Sequence, residues 1–174
     1  IGGQILEYEE GLWLAVTPPT DNQLNAISVV SDSDAWAVGA ADGRGGTIIH
    51  WDGRHWQRWY QDDLPIPAVD LYAIDMVSAN YGWAAGDPNI AGAPAMILQW
   101  DGHRWAQPRY DSPVNVRIND IAMVDWQPSP PDMKGWAVAS SGNAVAKYNG
   151  TYWSGNPTCQ GVYYDLRSVS IVPD

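Results

Sequence analysis

A chain of 174 residues with 45% apolar content and a mean hydropathy of -0.29 has the balance of a folded globular protein, which excludes a disordered or membrane-embedded polypeptide. Twenty acidic residues against nine Lys and Arg leave a net charge of -11, which repels a phosphate backbone and excludes nucleic acid as an expected partner. No apolar stretch approaches the roughly 18 residues of a membrane span and no basic-then-apolar leader opens the chain, so neither an anchor nor a signal is expected.

In chain order, GGQILEYEEGLW at the start reads as the second half of a unit whose first full copy follows at 24–56, LNAISVVSDSDAWAVGAADGRGGTIIHWDGRHW. A second copy at 71–105 and a third at 118–153 repeat it, the third with an insert that contains Pro128, Pro130 and Pro131. LRSVSIVPD at 166–174 reads as a first half. Corresponding residues Ile27, Ile74, Ile121 and Val169 stand 47, 47 and 48 residues apart, a period that suits propeller blades. Each copy consists of short alternating runs of Val, Ile and Trp broken by Gly, Asp and Asn, which is the strand pattern; nothing sustains a helical period.

The first copy predicts four strands, at 25–30, 35–39, 47–51 and 55–59. The expected fold is therefore all-β, a β-propeller of four-stranded antiparallel blades: a half blade at 1–16, blades at 24–59, 71–107 and 118–154, and a half blade at 166–174. Three copies and two halves do not obviously close a ring, so the expectation is a segment of a larger propeller. Closure by another copy of the chain and a distorted four-blade ring are the alternatives.

The third and fourth strands meet at Asp52-Gly53, Asp101-Gly102 and Asn149-Gly150, which predicts two-residue type I′ hairpins. That loop places Ile49 opposite Trp56, puts Trp51, Ile49 and Trp56 on one face, and sets His50 opposite His55. Nine of the eleven Trp occupy repeat positions and are expected in the core: 36, 83 and 136 in second strands, 51 and 100 in third strands, and 13, 56, 105 and 153 in fourth strands. Trp59 and Trp126 have no repeat partner and are the candidates for display.

The units resemble a bacterial family of secreted or surface-associated propellers that reads L-x-x-V-x-x-x-S-x-x-D-x-W-A-V-G, then H-W-D-G-x-x-W. Leu24, Ile27, Ser31, Asp34, the run from Trp36 to Gly39, the run from His50 to Gly53, and Trp56 carry that likeness. It implies an extracytoplasmic location and a propeller fold. A looser similarity, carried by 81–86 and 101–105, is to photosystem II assembly factors and to the Asp-box repeats of sialidases. The turns here lack the Ser/Thr frame of a full Asp-box.

Catalysis is not expected. No Ser, His and Asp set forms a motif, no Gly-rich phosphate loop is present, and Cys159, the one cysteine, has no nucleophile context. The turn carboxylates are explained by turn chemistry and the His50–His55 pair by ordinary strand positions, so no metal or cofactor is expected. A glycan-cleaving alternative would draw its acids from Asp62, Asp63, Asp111 and Asp165 and its arginines from Arg109, Arg117 and Arg167.

Function is expected in the loops that interrupt the repeat, because packing already accounts for the scaffold. The connections at 17–23, 60–70, 107–117 and 154–165 should open on one face with the loops at 40–46, 87–95 and 139–143. With Asp42 and Arg44, this face is expected to carry Trp59, Tyr60, Asp62, Asp63, Arg109, Tyr110, Asp111, Arg117, Tyr163 and Tyr164, the aromatic, arginine and acid mixture of a recognition surface. The expectation is a non-catalytic scaffold module that binds a protein partner there or joins the remaining blades of a larger chain. The alternative is a lectin-like glycan binder using Trp59 and Trp126.

Overall fold

The computed structural model describes residues 2–61, 66–109, 112–128, 131–140, 145–155 and 164–172, excepting the side chains at 126–128 and 131–133. Fourteen strands form among them. A leading hairpin, β1 (Ile5–Glu9) and β2 (Leu12–Val16), precedes three four-stranded antiparallel sheets. The first comprises β3 (Leu24–Ser31), β4 (Asp34–Asp42), β5 (Gly45–Trp51) and β6 (Trp56–Arg58). The second comprises β7 (Leu71–Ser78), β8 (Tyr81–Pro88), β9 (Ala95–Trp100) and β10 (Trp105–Ala106). The third comprises β11 (Ile118–Pro128), β12 (Pro131–Ala139), β13 (Val145–Tyr148) and β14 (Trp153–Gly155).

Within each sheet the strands lie in chain order, and the first strands pack on one another, β3 on β7 and β7 on β11. These are blades of a β-propeller, with the first strands innermost. The proline insert of the third copy lengthens its first hairpin, which ends at the pair Pro128 and Pro131. Residues 164–172 form no ladder among the described residues. They are held by Leu166 N donating to Ala139 O (3.3 Å), Asn119 Nδ2 donating to Leu166 O (2.7 Å) and Val169 N donating to Asp120 Oδ2 (2.8 Å).

The expected two-residue turns are corrected. Trp51 pairs with Trp56, Trp100 with Trp105 and Tyr148 with Trp153, so each turn has four residues. Asp52 Oδ1 accepts from the backbone N–H of both Arg54 and His55, at 2.9 and 2.8 Å. Asp101 does so from His103 and Arg104, and Asn149 from Thr151 and Tyr152. A side-chain acceptor that satisfies two donors at once favours this turn over a type I′ turn, which would also force Asp52 to positive φ. Only Gly53, Gly102 and Gly150 take that conformation, at 87°, 90° and 95°. The two-residue form occurs in the leading hairpin, where Glu10 and Gly11 have φ of 48° and 87° and Tyr8 pairs with Trp13.

Because the slip is by two residues, every side chain keeps its face. Trp51, Ile49 and Trp56 therefore do share one, but the supposed His50–His55 pair is lost. His50 pairs with Gln57, sets Nε2 2.9 Å from Asp34 Oδ1 and stacks on Trp36 at 4.0 Å.

The core lies between blades. Trp36 of the first blade rests on Trp100 and Trp105 of the second, with ring centroids at 4.8 and 5.6 Å. Trp83 rests on Tyr148 and Trp153 of the third in the same way, at 4.9 and 5.6 Å. Burial follows from having that neighbour. Trp36, Trp83, Trp105 and Trp153 are buried, whereas Trp51, Trp56 and Trp136 are only half-buried and Trp13 is 68% exposed. The expectation that all nine repeat Trp are core is thus corrected: a repeat position becomes core only where a blade covers it.

Trp105 and Trp13 hold the same place in the repeat, and replacing each by Ala isolates the neighbour's contribution. Trp105→Ala should cost about 3–5 kcal/mol, and Trp13→Ala less than about 1 kcal/mol, by urea unfolding. Equal losses would mean that Trp13 is covered.

The first strands are also linked through Asp75, whose Oδ2 accepts from Met123 N at 2.6 Å. Burial pushes its carboxyl above the ordinary value of 3.8; the Met123 N–H opposes that shift and the charge of Asp120 adds to it. The folded state therefore holds this proton more tightly than the unfolded chain, and the contribution of Asp75 to stability falls as pH rises through its raised value. Asp75→Asn keeps an acceptor and never ionises, so relative to the parent it should gain stability between about pH 3 and pH 7. Unfolding midpoints across that range check this, and a difference independent of pH would contradict it.

Candidate functional site

Each first strand begins beside the end of the second strand of its own blade, and the backbone there repeats closely. Ala40 N donates to Gln23 O, Asp87 N to Asp70 O and Ser140 N to Arg117 O, at 2.8, 3.0 and 2.8 Å. The backbone is constant, but the side chains on it are not. One repeat position carries Gln23, Asp70 and Arg117, the next but one carries Asn25, Tyr72 and Asn119, and a third carries Ala40, Asp87 and Ser140. These variable positions share one end of the blades with the connecting loops.

There the fold assembles a cluster of charge and aromatic surface. The Arg117 guanidinium carbon lies 4.5 Å from the centre of the Tyr72 ring, a cation–π contact. Tyr72 Oη donates to Asp70 Oδ2 at 3.3 Å, and Asp70 Oδ1 accepts from Ala41 N at 2.7 Å. Arg117 Nε donates to Asn119 Oδ1 (3.1 Å) and Ser140 Oγ (3.3 Å), which fixes the plane of the guanidinium. Burial pushes the Asp87 carboxyl above its ordinary value; the charge of Arg117 and the Tyr72 hydroxyl act against that and Asp70 reinforces it. Among the described residues no carboxylate lies within ion-pair distance of Arg117.

A second cluster adjoins the first through Ala41. Tyr60, 55% exposed, accepts from Arg44 Nη1 at 3.0 Å and stands 5.8 Å from the Arg58 guanidinium carbon. Arg58 is itself buried against Asp42 (3.4 Å) and Thr47 (3.0 Å), and Asn22 Nδ2 donates to the same two side chains. The Arg44 N–H leads in holding the Asp42 carboxyl below its usual range despite some burial; Asn22, Arg58 and Arg44's charge assist. Arg58 therefore props the floor of the cluster, and Arg44 and Tyr60 form its surface.

Of the residues predicted for this face, Asp42, Arg44, Tyr60 and Arg117 enter these clusters. Arg109 and Tyr164 are exposed, Tyr164 at 82%. Asp62, Asp63, Tyr110, Asp111 and Tyr163 lie outside the described residues, and Trp126 is in β11 with its side chain outside them. Trp59 is corrected. Its half-buried ring packs 5.1 Å from Trp36 and 5.0 Å from Trp100, so it joins the interblade core instead of standing free on the loop face.

Asp70, Tyr72 and Asp87 were not anticipated. The available signal was a departure from the repeat, since Tyr72 stands where the other copies have Asn25 and Asn119. Both of those asparagines reach across to the next segment, donating to Leu71 O and Leu166 O. Tyrosine gives up that link and presents a ring instead. Among the described residues no three His, Cys, Asp or Glu side chains gather as a cation site. Of the acids proposed for glycan cleavage, Asp165 is described and lies 3.9 Å from Arg167.

No family model and no curated protein matches the chain. Solved structures do, and one of them is YCF48 bound to D1 peptide, superimposing with a TM-score of 0.60 at 20% identity. The superposition covers 86% of this chain and 44% of that one, so this chain spans about half the length of that propeller. The likeness is one of fold.

Proposed function

We propose that the chain is a non-catalytic interaction module that takes a segment of a protein partner across its loop face, with Arg117 and Tyr72 at the inner end and Arg44 and Tyr60 at the outer. The observation that carries this reading is the cluster itself. On a backbone whose closing hydrogen bond recurs at 2.8 to 3.0 Å in each blade, the departures at Asp70, Tyr72, Asp87 and Arg117 converge on one patch. Packing of the blade does not call for them, and arginine and tyrosine are the side chains that most often anchor protein interfaces. An Arg117 guanidinium fixed in plane by Asn119 and Ser140 is preorganised for a carboxylate of the partner. The solved structure of the similar fold is described as bound to a peptide, which agrees with this class of ligand. The glycan reading loses its described motive, because the Trp59 ring is taken up by packing.

Tyr72→Asn is the informative variant, since it installs the residue of the other two copies and should fold normally. A photo-reactive phenylalanine analogue at position 60 should cross-link a discrete protein in extract of the source cells, and the same group at the exposed Tyr152 on the turn at the opposite end should not. Tyr72→Asn and Arg117→Ala should each lower the yield about tenfold or more. Equal labelling from positions 60 and 152, or no effect of either substitution, would overturn the reading.

A further inference from the structure

The departures from the repeat gather in the second blade, and one of them is apolar. The loops between second and third strands read AADGRGG at 40–46 and ASSGN at 139–143, both without a large apolar residue, whereas the second blade has DPNIAGAPA at 87–95. Ile90 stands in the middle of that loop, 69% exposed. Ala91, Gly92 and Ala93 beside it are too small to cover it.

A single exposed apolar side chain is ordinary on a protein surface, but the loop that carries this one is held in shape. Pro88 pairs with Ala95, so residues 89–94 span the gap between the strands. Ala93 N donates to Ile90 O at 3.0 Å and Gly92 has a φ of 83°, the closing bond and the positive φ of a type II turn. Pro88 and Pro94 fix two further φ angles. Both ends of the loop are tied to the cluster around Arg117. Asp87 N donates to Asp70 O at 3.0 Å, and Ala95 N donates to Val114 O at 2.8 Å, three residues before Arg117. Asp87 and Ile90 are separated by about 10 Å at most, the reach of three extended residues. Ile90 is therefore an ordered apolar tip beside the charged patch, and ordering it costs a partner little.

We propose that Ile90 is an apolar anchor of the loop face and sets the class of segment bound there. That segment presents a carboxylate to Arg117 and, within about four residues of it, an apolar side chain to Ile90. This inference rests on the reading of the loop face as a protein-binding surface and adds a second requirement to it. Charge selects the first group: Asn119 and Ser140 fix the Arg117 guanidinium, and among the described residues no carboxylate lies within ion-pair distance of it. In a chain of net charge -11 most of the remaining surface repels an acid, which favours this position over others. Burial selects the second group, because covering Ile90 removes apolar surface from water on both sides of the contact. An acid without the apolar neighbour, or the reverse, fills one anchor only.

The test is selection of displayed random dodecamer peptides on the 174-residue chain, repeated on Ile90→Ser and Arg117→Ala. Peptides enriched on the parent should combine Asp or Glu with Leu, Ile, Val, Met or Phe within about four residues. Ile90→Ser changes an exposed side chain, so the chain should fold as before, keep the acidic preference and lose the apolar one. By fluorescence anisotropy it should bind the best parent-selected peptide about tenfold more weakly, and Ile90→Leu should restore the affinity. Arg117→Ala should lose the acidic preference. An acidic preference with no apolar companion, or an apolar one unchanged by Ile90→Ser, would overturn this proposal and leave the loop-face reading standing. No enrichment at all, or enrichment indifferent to Arg117→Ala, would overturn both.

Discussion

The structure depends on one contact, the indole of a second strand seated on the aromatic pair of the following blade. A four-stranded sheet is too narrow to cover its own faces, so each blade is stable only as part of a stack. Trp36 on Trp100 and Trp105, and Trp83 on Tyr148 and Trp153, provide large rigid rings at tilted and edge-on angles, within the separations that aromatic pairs prefer. Five of the eleven Trp, with Tyr148, make up this single device.

Such a design separates what a residue is from what it does. Trp13 and Trp105 are the same residue at the same repeat position, and one is exposed while the other is 1% exposed. The difference comes entirely from the neighbour. Stability in stacked repeats is a sum over units and the interfaces between them, and the faces at either end of a run remain open in proportion to what would otherwise cover them.

The recognition surface arises by the opposite logic. Where the repeat constrains only the backbone, as at the hydrogen bonds from Ala40, Asp87 and Ser140, the side chains are free to differ between copies, and those differences meet on one face. Arg117 and Tyr60 were legible as loop residues beside strand ends. Tyr72 was not, because it lies inside a strand whose alternation assigns it to the scaffold. Trp59 misled in the other direction: standing outside the repeat suggested display, but its ring turns back onto Trp36. Departure from a repeat marks a residue as special without saying whether it faces solvent or core.

The sequence by itself determined the all-β class, the blade period, the strand order and the face on which each side chain falls. These are local consequences of alternation, turn residues and a spacing of 47 to 48 residues. Even the misplaced hairpin register preserved the faces, because a slip of two residues respects the period of a strand. Tertiary structure alone decided that Asp52, Asp101 and Asn149 close four-residue turns, that Asp70, Tyr72, Asp87 and Arg117 converge, and that the Trp59 ring packs on Trp36. The reason is physical: periodicity states which way a side chain points, whereas burial and coupling depend on what the rest of the chain places opposite it.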